Sequence, residues 1–198
     1  MRPCACCGRG SLRAVEQVSF TQMADGTAEQ YRYLKSVEDA EFATYPDRVL
    51  GWLREMDEPG PYLVTRLEHS LQAATRARRA GENDDYVFMT LLHDVGDMIA
   101  PANHSQAAAA IIRPYVSDRV HWICLHHGLF QGVYYAHHYG GDPNARDAFR
   151  DHRWYDDTVR FCAEYDQASF DPSYESDPLE SFEHLLRSTF ARQLVDTL

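Results

Sequence analysis

Positive charge is scarce in this chain of 198 residues, in which 19 lysines and arginines face 30 aspartates and glutamates. The resulting formal net charge of −11 would repel a phosphate backbone over most of the surface, which argues against a nucleic-acid partner. Apolar runs of membrane-spanning length are absent, and no basic segment followed by an apolar one opens the chain. We therefore expect a cytoplasmic protein without a membrane partner, acting on a small molecule.

Cysteine is also sparse, and its odd count of five fits a reducing compartment. Cys124 and Cys162 lie inside apolar helical patterns, where small buried thiols are common. The other three lie close together near the start of the chain: Cys4, Cys6 and Cys7. Three ligands so close in sequence cannot easily surround one metal ion. Residues 1–17 are therefore interpreted as an irregular extension, and residues 18–198 as a single domain.

Strand-like alternation is almost absent, whereas apolar residues recur every three to four positions along most of the chain. Thr27, with Gln30 three residues later, has the pattern of a helix N-cap, and Pro46 is predicted to open a second helix. Residues 57–61, DEPGP, interrupt the pattern. Further helices are predicted in LVTRLEHSLQAATRARRA, DDYVFMTLLHDVG, HSQAAAAIIRPYV, DRVHWICLHHGLF, DDTVRFCAEYDQ and PLESFEHLLRSTFARQL. The predicted fold class is all-α.

Polar side chains able to bind a metal recur on these predicted helices: His69, His93, Asp94, His104, His127 and Asp166. A single buried histidine is more commonly a hydrogen-bonded core residue than a ligand. The adjacent pair His93 and Asp94 ends an apolar run, however, and a buried carboxylate costs several kcal/mol unless a cation compensates it. A helical bundle can gather such side chains in its core, and their mixture of nitrogen and oxygen suits hard to borderline metals.

This ordered set resembles the signature H…HD…H…H…D of the HD-domain metalloproteins, over roughly residues 60–170. The resemblance implies a helical bundle with a dinuclear metal site in its core. It implies that one metal is held by His69, His93, Asp94 and Asp166, and that Asp94 bridges to a second metal held by His104 and His127. Asp94, His104 and His127 are the implied catalytic residues.

Two reaction classes use such a site in this family: metal-dependent phosphohydrolases and mixed-valent diiron oxygenases. Many of the hydrolases follow HD-x-G with a basic residue, whereas here Gly96 is followed by Asp97. The segments RLEHSLQAATRA, LLHDVGD and YDQASFDP resemble the oxygenase group that cleaves trimethylammonium phosphonates. This implies two iron ions, Fe(II)/Fe(III), and O2 as co-substrate. The phosphohydrolase remains the alternative, and the intact ligand set disfavours a third possibility, an inactive binding scaffold.

The implied substrate is (R)-1-hydroxy-2-(trimethylammonio)ethylphosphonate, converted to glycine betaine and phosphate. Aromatic faces hold a quaternary ammonium best, and GLFQGVYYAHHYGG supplies Phe130, Tyr134, Tyr135 and Tyr139. Gln131 and Ala163 stand where aminophosphonate oxygenases have a lysine and an arginine, so the phosphonate needs other partners. The expected substrate contacts are Asp97, Ser105, Gln131, Tyr135 and His138. Tyr31 is the expected gate over the vacant iron position.

Overall fold

The computed structural model describes residues 17–192, and within that range the chain is helical without a β-strand. With 69% of residues in helices, the all-α prediction is confirmed. The chain divides into two compact units, residues 1–43 and 44–198, and the boundary falls within the first helix. The predicted domain start at residue 18 stays a prediction. The extension over residues 1–17, with Cys4, Cys6 and Cys7, lies outside the described residues except for residue 17.

Seven α-helices make up the described part of the chain, joined by short 3-10 turns: α1 Ala28–Glu55, α2 Arg66–Arg79, α3 Asp84–Leu92, α4 His104–Ile112, α5 Asp118–Gln131, α6 Tyr155–Phe161 and α7 Glu180–Phe190. A π-helical turn, Cys162–Asp166, follows α6 directly. No helix in residues 17–192 is long and apolar enough to cross a membrane.

The first helix begins as its sequence predicts and ends later than predicted. The amide of Thr27 donates to the Gln30 side chain at 2.9 Å, and the Gln30 amide donates back to the Thr27 hydroxyl at 3.3 Å. The prediction that Pro46 opens a second helix is wrong, because α1 runs through Pro46 to Glu55. Proline removes one helical hydrogen bond, but the helix buries Pro46 and the apolar positions that follow it: Val49, Leu50 and Leu53. Burial of this face outweighs the local penalty.

Side-chain caps fix where the central helices begin. Thr65 and Glu68 form a capping box at the start of α2, with the Glu68 amide donating to the Thr65 hydroxyl at 3.0 Å. Asn83 caps α3 by accepting from the Tyr86 amide at 3.0 Å. These caps set which residues of α2 and α3 face inward.

Helix α3 lies at the centre of the core, where it packs against α2, α4, α5 and α7. Every residue from Tyr86 to Leu92 is buried, as expected of a helix that has no solvent face. Because α3 ends at Leu92, the next two residues, His93 and Asp94, emerge into the middle of the bundle. The apolar helix thus delivers two polar side chains to the place where four helices meet.

Gly96 lets the 3-10 turn Val95–Met98 pack directly on α4. A Cβ atom there would lie 2.0 Å from the His104 carbonyl oxygen, which is backbone and cannot move aside.

We predict that Gly96→Ala lowers the free energy of unfolding by about 1–3 kcal/mol in urea denaturation, because the overpacking must be relieved by backbone shifts. Gly51→Ala is the matched control: it lies inside α1, and its added Cβ would have no atom within 4 Å beyond the adjoining backbone of its own helix. It should stabilise the protein by up to about 1 kcal/mol. Equal effects of the two substitutions would contradict the packing argument.

Candidate metal centre

The carboxylate of Asp94 stands between two pairs of histidines. Its Oδ2 atom is 3.5 Å from His69 Nε2 and 3.6 Å from His93 Nε2. Its Oδ1 atom is 3.4 Å from His104 Nε2 and 3.2 Å from His127 Nε2. Each carboxylate oxygen therefore faces its own pair of imidazole nitrogens.

The ligand atoms within each pair are close enough to share one ion. His69 Nε2 and His93 Nε2 are 3.1 Å apart, and His104 Nε2 and His127 Nε2 are 3.2 Å apart. Asp166 Oδ1 joins the first pair at 3.5 Å from His69 Nε2 and 3.8 Å from His93 Nε2. With metal–ligand bonds of about 2.0–2.2 Å, neighbouring ligand atoms lie about 3–3.5 Å apart, so both groups have a suitable size.

Five segments of the chain bring these side chains together. His69 lies in α2, His93 and Asp94 follow α3, His104 begins α4, and His127 lies in α5. Asp166 is the last residue of the π-helical turn, in which the Gln167 amide donates to the Cys162 carbonyl five residues earlier at 3.0 Å. This wider turn packs against α2 and presents Asp166 to the first group.

Main-chain carbonyls fix the orientation of three of the four imidazoles. Nδ1 of His69 donates to the Ser169 carbonyl at 3.0 Å, and Nδ1 of His93 donates to the Thr90 carbonyl at 2.8 Å. Nδ1 of His127 donates to the Cys124 carbonyl at 2.6 Å. A carbonyl can only accept, so Nδ1 carries a proton in each of these rings, and Nε2 is the nitrogen that faces the centre. This is the tautomer that binds a metal.

The negative charges of Asp94 and Asp166 favour binding of a cation in the cluster. Burial lowers the pKa of His69. Burial also acts to lower the pKa of His93, but the charges of Asp94 and Asp166 outweigh it and raise that pKa to about 9. Asp94 resists the effect of burial because His93 and His127 face it, and its pKa falls well below the usual range. The carboxylates thus draw a proton into a fully buried position when no other cation is available.

An unpaired oxygen also fits a metal. The Oδ2 atom of Asp166 is buried and has no hydrogen-bond partner among residues 17–192, while its Oδ1 atom accepts from the Gln131 side-chain amide at 2.9 Å. A buried acceptor without a partner is energetically unfavourable unless something else binds it. Two groups of described residues could hold a metal ion by the spacing of their ligand atoms: His69, His93 and Asp166, and His93, Asp94 and His127.

Three of the expected substrate contacts adjoin this cluster. The Ser105 hydroxyl is 3.2 Å from His104 Nε2, and the Gln131 amide binds Asp166. Asp97 Oδ1 is 3.7 Å from His104 Nδ1, while Asp97 Oδ2 is 3.0 Å from Arg66 Nε. Burial and the charge of Asp94 raise the pKa of Asp97. The substrate roles of these residues stay predictions.

The expected aromatic contacts differ in their surroundings. Phe130 is fully buried, with its ring 5.2 Å from that of Tyr155, so it belongs to the core and is not free to contact a substrate. Tyr135 is 44% exposed, and burial together with the nearby negative charge of Asp166 raises the pKa of its hydroxyl. Tyr139 is 85% exposed, and His138 is exposed with its ring beside that of His137.

Sequence reasoning missed an aromatic pair beside the first histidine. The Phe170 ring stacks on the His69 ring at 4.4 Å, and Tyr62 contacts Phe170 at 5.2 Å between ring centroids. Both rings are partly exposed, Tyr62 at 66% and Phe170 at 36%. Phe170 lies four residues after Asp166 in the segment YDQASFDP, so its closeness to a ligand was the available signal.

The structure also shows the surroundings of His126 and of Tyr31. His126, adjacent to His127, turns away and stacks on Trp122 at 3.6 Å, as expected from the rotation of about 100° per residue in a helix. Tyr31 lies in the unit of residues 1–43, where its hydroxyl donates to the Met23 carbonyl. Its role as a gate stays a prediction.

Comparison with protein families finds an HD domain at residues 66–160. The matched range contains the four histidines and Asp94, and Asp166 follows it by six residues. HD domains are typically metal-dependent enzymes that bind divalent metals, and the His and Asp groups of this range could hold such a metal. A search of curated proteins finds no match.

The shared carboxylate predicts a specific pattern of metal loss. Asp94→Ala should retain less than one equivalent of tightly bound ion, because it removes a ligand from both groups. His127→Ala should retain the ion of the first group, which keeps all four of its ligands. Metal content after loading with Mn²⁺ and dialysis, measured by mass spectrometry, checks this. His126→Ala is the matched control, because it removes an adjacent imidazole that faces Trp122 and should bind as much metal as the wild type. Retention of one full equivalent by Asp94→Ala would refute the shared role.

Proposed function

We propose that this chain, which carries an HD domain at residues 66–160, is a dinuclear iron oxygenase of phosphonate breakdown. It would use O2 to cleave the carbon–phosphorus bond of (R)-1-hydroxy-2-(trimethylammonio)ethylphosphonate, giving glycine betaine and phosphate. The observation that carries the proposal is the position of Asp94, whose two carboxylate oxygens each face a separate pair of metal-facing imidazoles.

Two positions of unequal character follow from this arrangement. His69, His93, Asp94 and Asp166 would hold the first iron, whereas Asp94, His104 and His127 would hold the second. The second set has fewer protein ligands, and its His104 side chain is 31% exposed while His69 and His93 are almost fully buried. External ligands therefore have access at the second position. When bound, the iron pair would supply the dioxygen and redox chemistry, and the protein would orient the reactants.

The residues around the cluster support a substrate with one anionic and one cationic end. The buried Ser105 hydroxyl, 3.2 Å from His104 Nε2, is placed to donate to an anionic oxygen near the second position. Tyr62, Phe170 and Tyr135 offer partly exposed rings, and the charges of Asp94 and Asp166 act on Tyr135. Ring faces in a negative field suit a quaternary ammonium, which has no N–H to donate.

The charges beside the cluster favour this proposal over the phosphohydrolase alternative. The residue after HD-x-G is Asp97, and the nearby guanidinium of Arg66 is paired with it. A phosphate ester would thus meet a carboxylate where many HD hydrolases present a basic side chain, whereas the trimethylammonium end of the proposed substrate would be attracted to that carboxylate. The hydrolase would use the same ligands and would not depend on O2.

Oxygen dependence separates the two activities. We expect iron-loaded protein to release phosphate from the trimethylammonium hydroxyphosphonate in air and not under argon, because O2 accepts the four electrons that the substrate loses. Phosphate assay, oxygen electrode and EPR of the partly oxidised protein check this, the last for a coupled Fe(II)/Fe(III) signal. Anaerobic turnover of a phosphate ester, with no reaction of the phosphonate in air, would replace the oxygenase by the hydrolase.

The aromatic contact predicts a difference between substrates. Tyr135→Ala should raise the KM for the trimethylammonium substrate by roughly 5–30-fold, the equivalent of one cation–π contact, and that for the amino analogue much less. Tyr139→Ala is the matched control, since its ring lies 6.3 Å from that of Tyr135 and is 85% exposed. An equal rise of KM for both substrates with Tyr135→Ala would exclude ring recognition of the cationic end.

A further inference from the structure

We propose that Arg66 and Asp97 act together as positioning residues for His104, and so set how tightly the second metal position binds its ion. The inference rests on the two-metal part of the proposed function and is independent of which substrate is oxidised. It starts from a difference among the four imidazoles of the cluster.

His104 is held differently from the other three. His69, His93 and His127 each donate from Nδ1 to a main-chain carbonyl, an arrangement that no side-chain substitution removes. His104 instead has Asp97 Oδ1 at 3.7 Å from its Nδ1, within ion-pair distance and beyond that of a hydrogen bond. A carboxylate behind a ligating imidazole fixes the ring and makes the metal-facing nitrogen more basic. A small movement of either side chain would bring Asp97 within hydrogen-bond distance of Nδ1, so the group placed to orient His104 is a replaceable side chain.

Asp97 is itself held in place from two sides. It lies in the turn Val95–Met98, where its amide donates to the Asp94 carbonyl at 3.0 Å, so the bridging carboxylate and the partner of His104 belong to one turn. Gly96 packs that turn against the His104 backbone. On the other side, Arg66 Nε is 3.0 Å from Asp97 Oδ2. One oxygen of Asp97 is bound to Arg66, and the other faces His104.

Arg66 links the two metal positions through α2. It is the first residue of α2 and lies three residues before His69, so both side chains lie on one face of the helix. The Asp97 side chain is 17% exposed, and a carboxylate this buried needs a compensating cation to remain charged. The helix that supplies a ligand to the first position therefore also holds the partner of His104 at the second.

Metal titration tests this without substrate or O2. Metal-free wild type, Asp97→Ala, Arg66→Met and Arg66→Lys are titrated with Co²⁺ and followed by calorimetry and visible absorption. Wild type is expected to bind two ions. In Asp97→Ala the weaker site should lose about 10–100-fold in affinity, while the tighter site stays within about twofold. Arg66→Met should lose less, and Arg66→Lys should recover part of that loss because it keeps the cation.

A matched control is Asp157→Asn, which removes a carboxylate paired with Arg119 at 2.7 Å and facing no metal-binding group. It should leave both affinities unchanged. Equal weakening of both sites by Asp97→Ala would show a general structural role and overturn the proposal. Unchanged Co²⁺ binding combined with a raised KM would make Asp97 a substrate contact and also overturn it. A wild type that binds one ion would remove its premise, whereas two ions without O2-dependent turnover would refute the proposed reaction and leave this inference standing.

Discussion

The repulsion between lone pairs at the centre of the bundle governs the rest of this structure. Four imidazole nitrogens and the oxygens of two carboxylates converge at distances of 3.1–3.8 Å, on side chains that are mostly buried. Such an arrangement is unfavourable without cations, in keeping with the way Asp94 and Asp166 raise the pKa of His93. The apolar surface of α3, the caps of α2 and α3 and the carbonyl bonds to Nδ1 all hold these groups in position against that repulsion. Packing and hydrogen bonding elsewhere in the fold therefore hold together polar groups whose closeness is unfavourable by itself.

Features encoded by residue type and helical period could be predicted from the sequence. Contacts between residues far apart in the chain could not. Helical spacing predicted the fold class, and the resemblance to the HD-domain signature implied the six converging side chains as a set. The prediction failed at Pro46, because local proline preference is overridden by burial of the helix face that follows. It also missed the stacking of Phe170 on His69, and the link from Arg66 through Asp97 to His104. Those contacts join residues from separate elements, so no periodicity in the chain reveals them.

The two halves of the cluster differ in burial and in the number of side chains that face a possible metal. The first half is mostly buried and offers four side chains that could bind a metal, whereas the second is partly exposed and offers three. A closed position favours a stable ion, and an open one admits exchange of external ligands. Asp94 couples the two, since any movement that improves one oxygen's contacts changes the angle of the other. Binding of a ligand at the open position is therefore expected to change the geometry of the closed position through the Asp94 carboxylate.

The π-helical turn Cys162–Asp166 gives the cluster an unusual dependence on chain length. The turn accommodates one residue more than an α-helical turn, and this surplus directs Asp166 towards the histidines. Deleting one residue here would restore regular α-helical register and carry Asp166 about 100° around the axis, while most of the bundle could remain intact. A homologous bundle could thus gain or lose this ligand by a single-codon insertion or deletion, without any change in the identity of the remaining metal-facing residues.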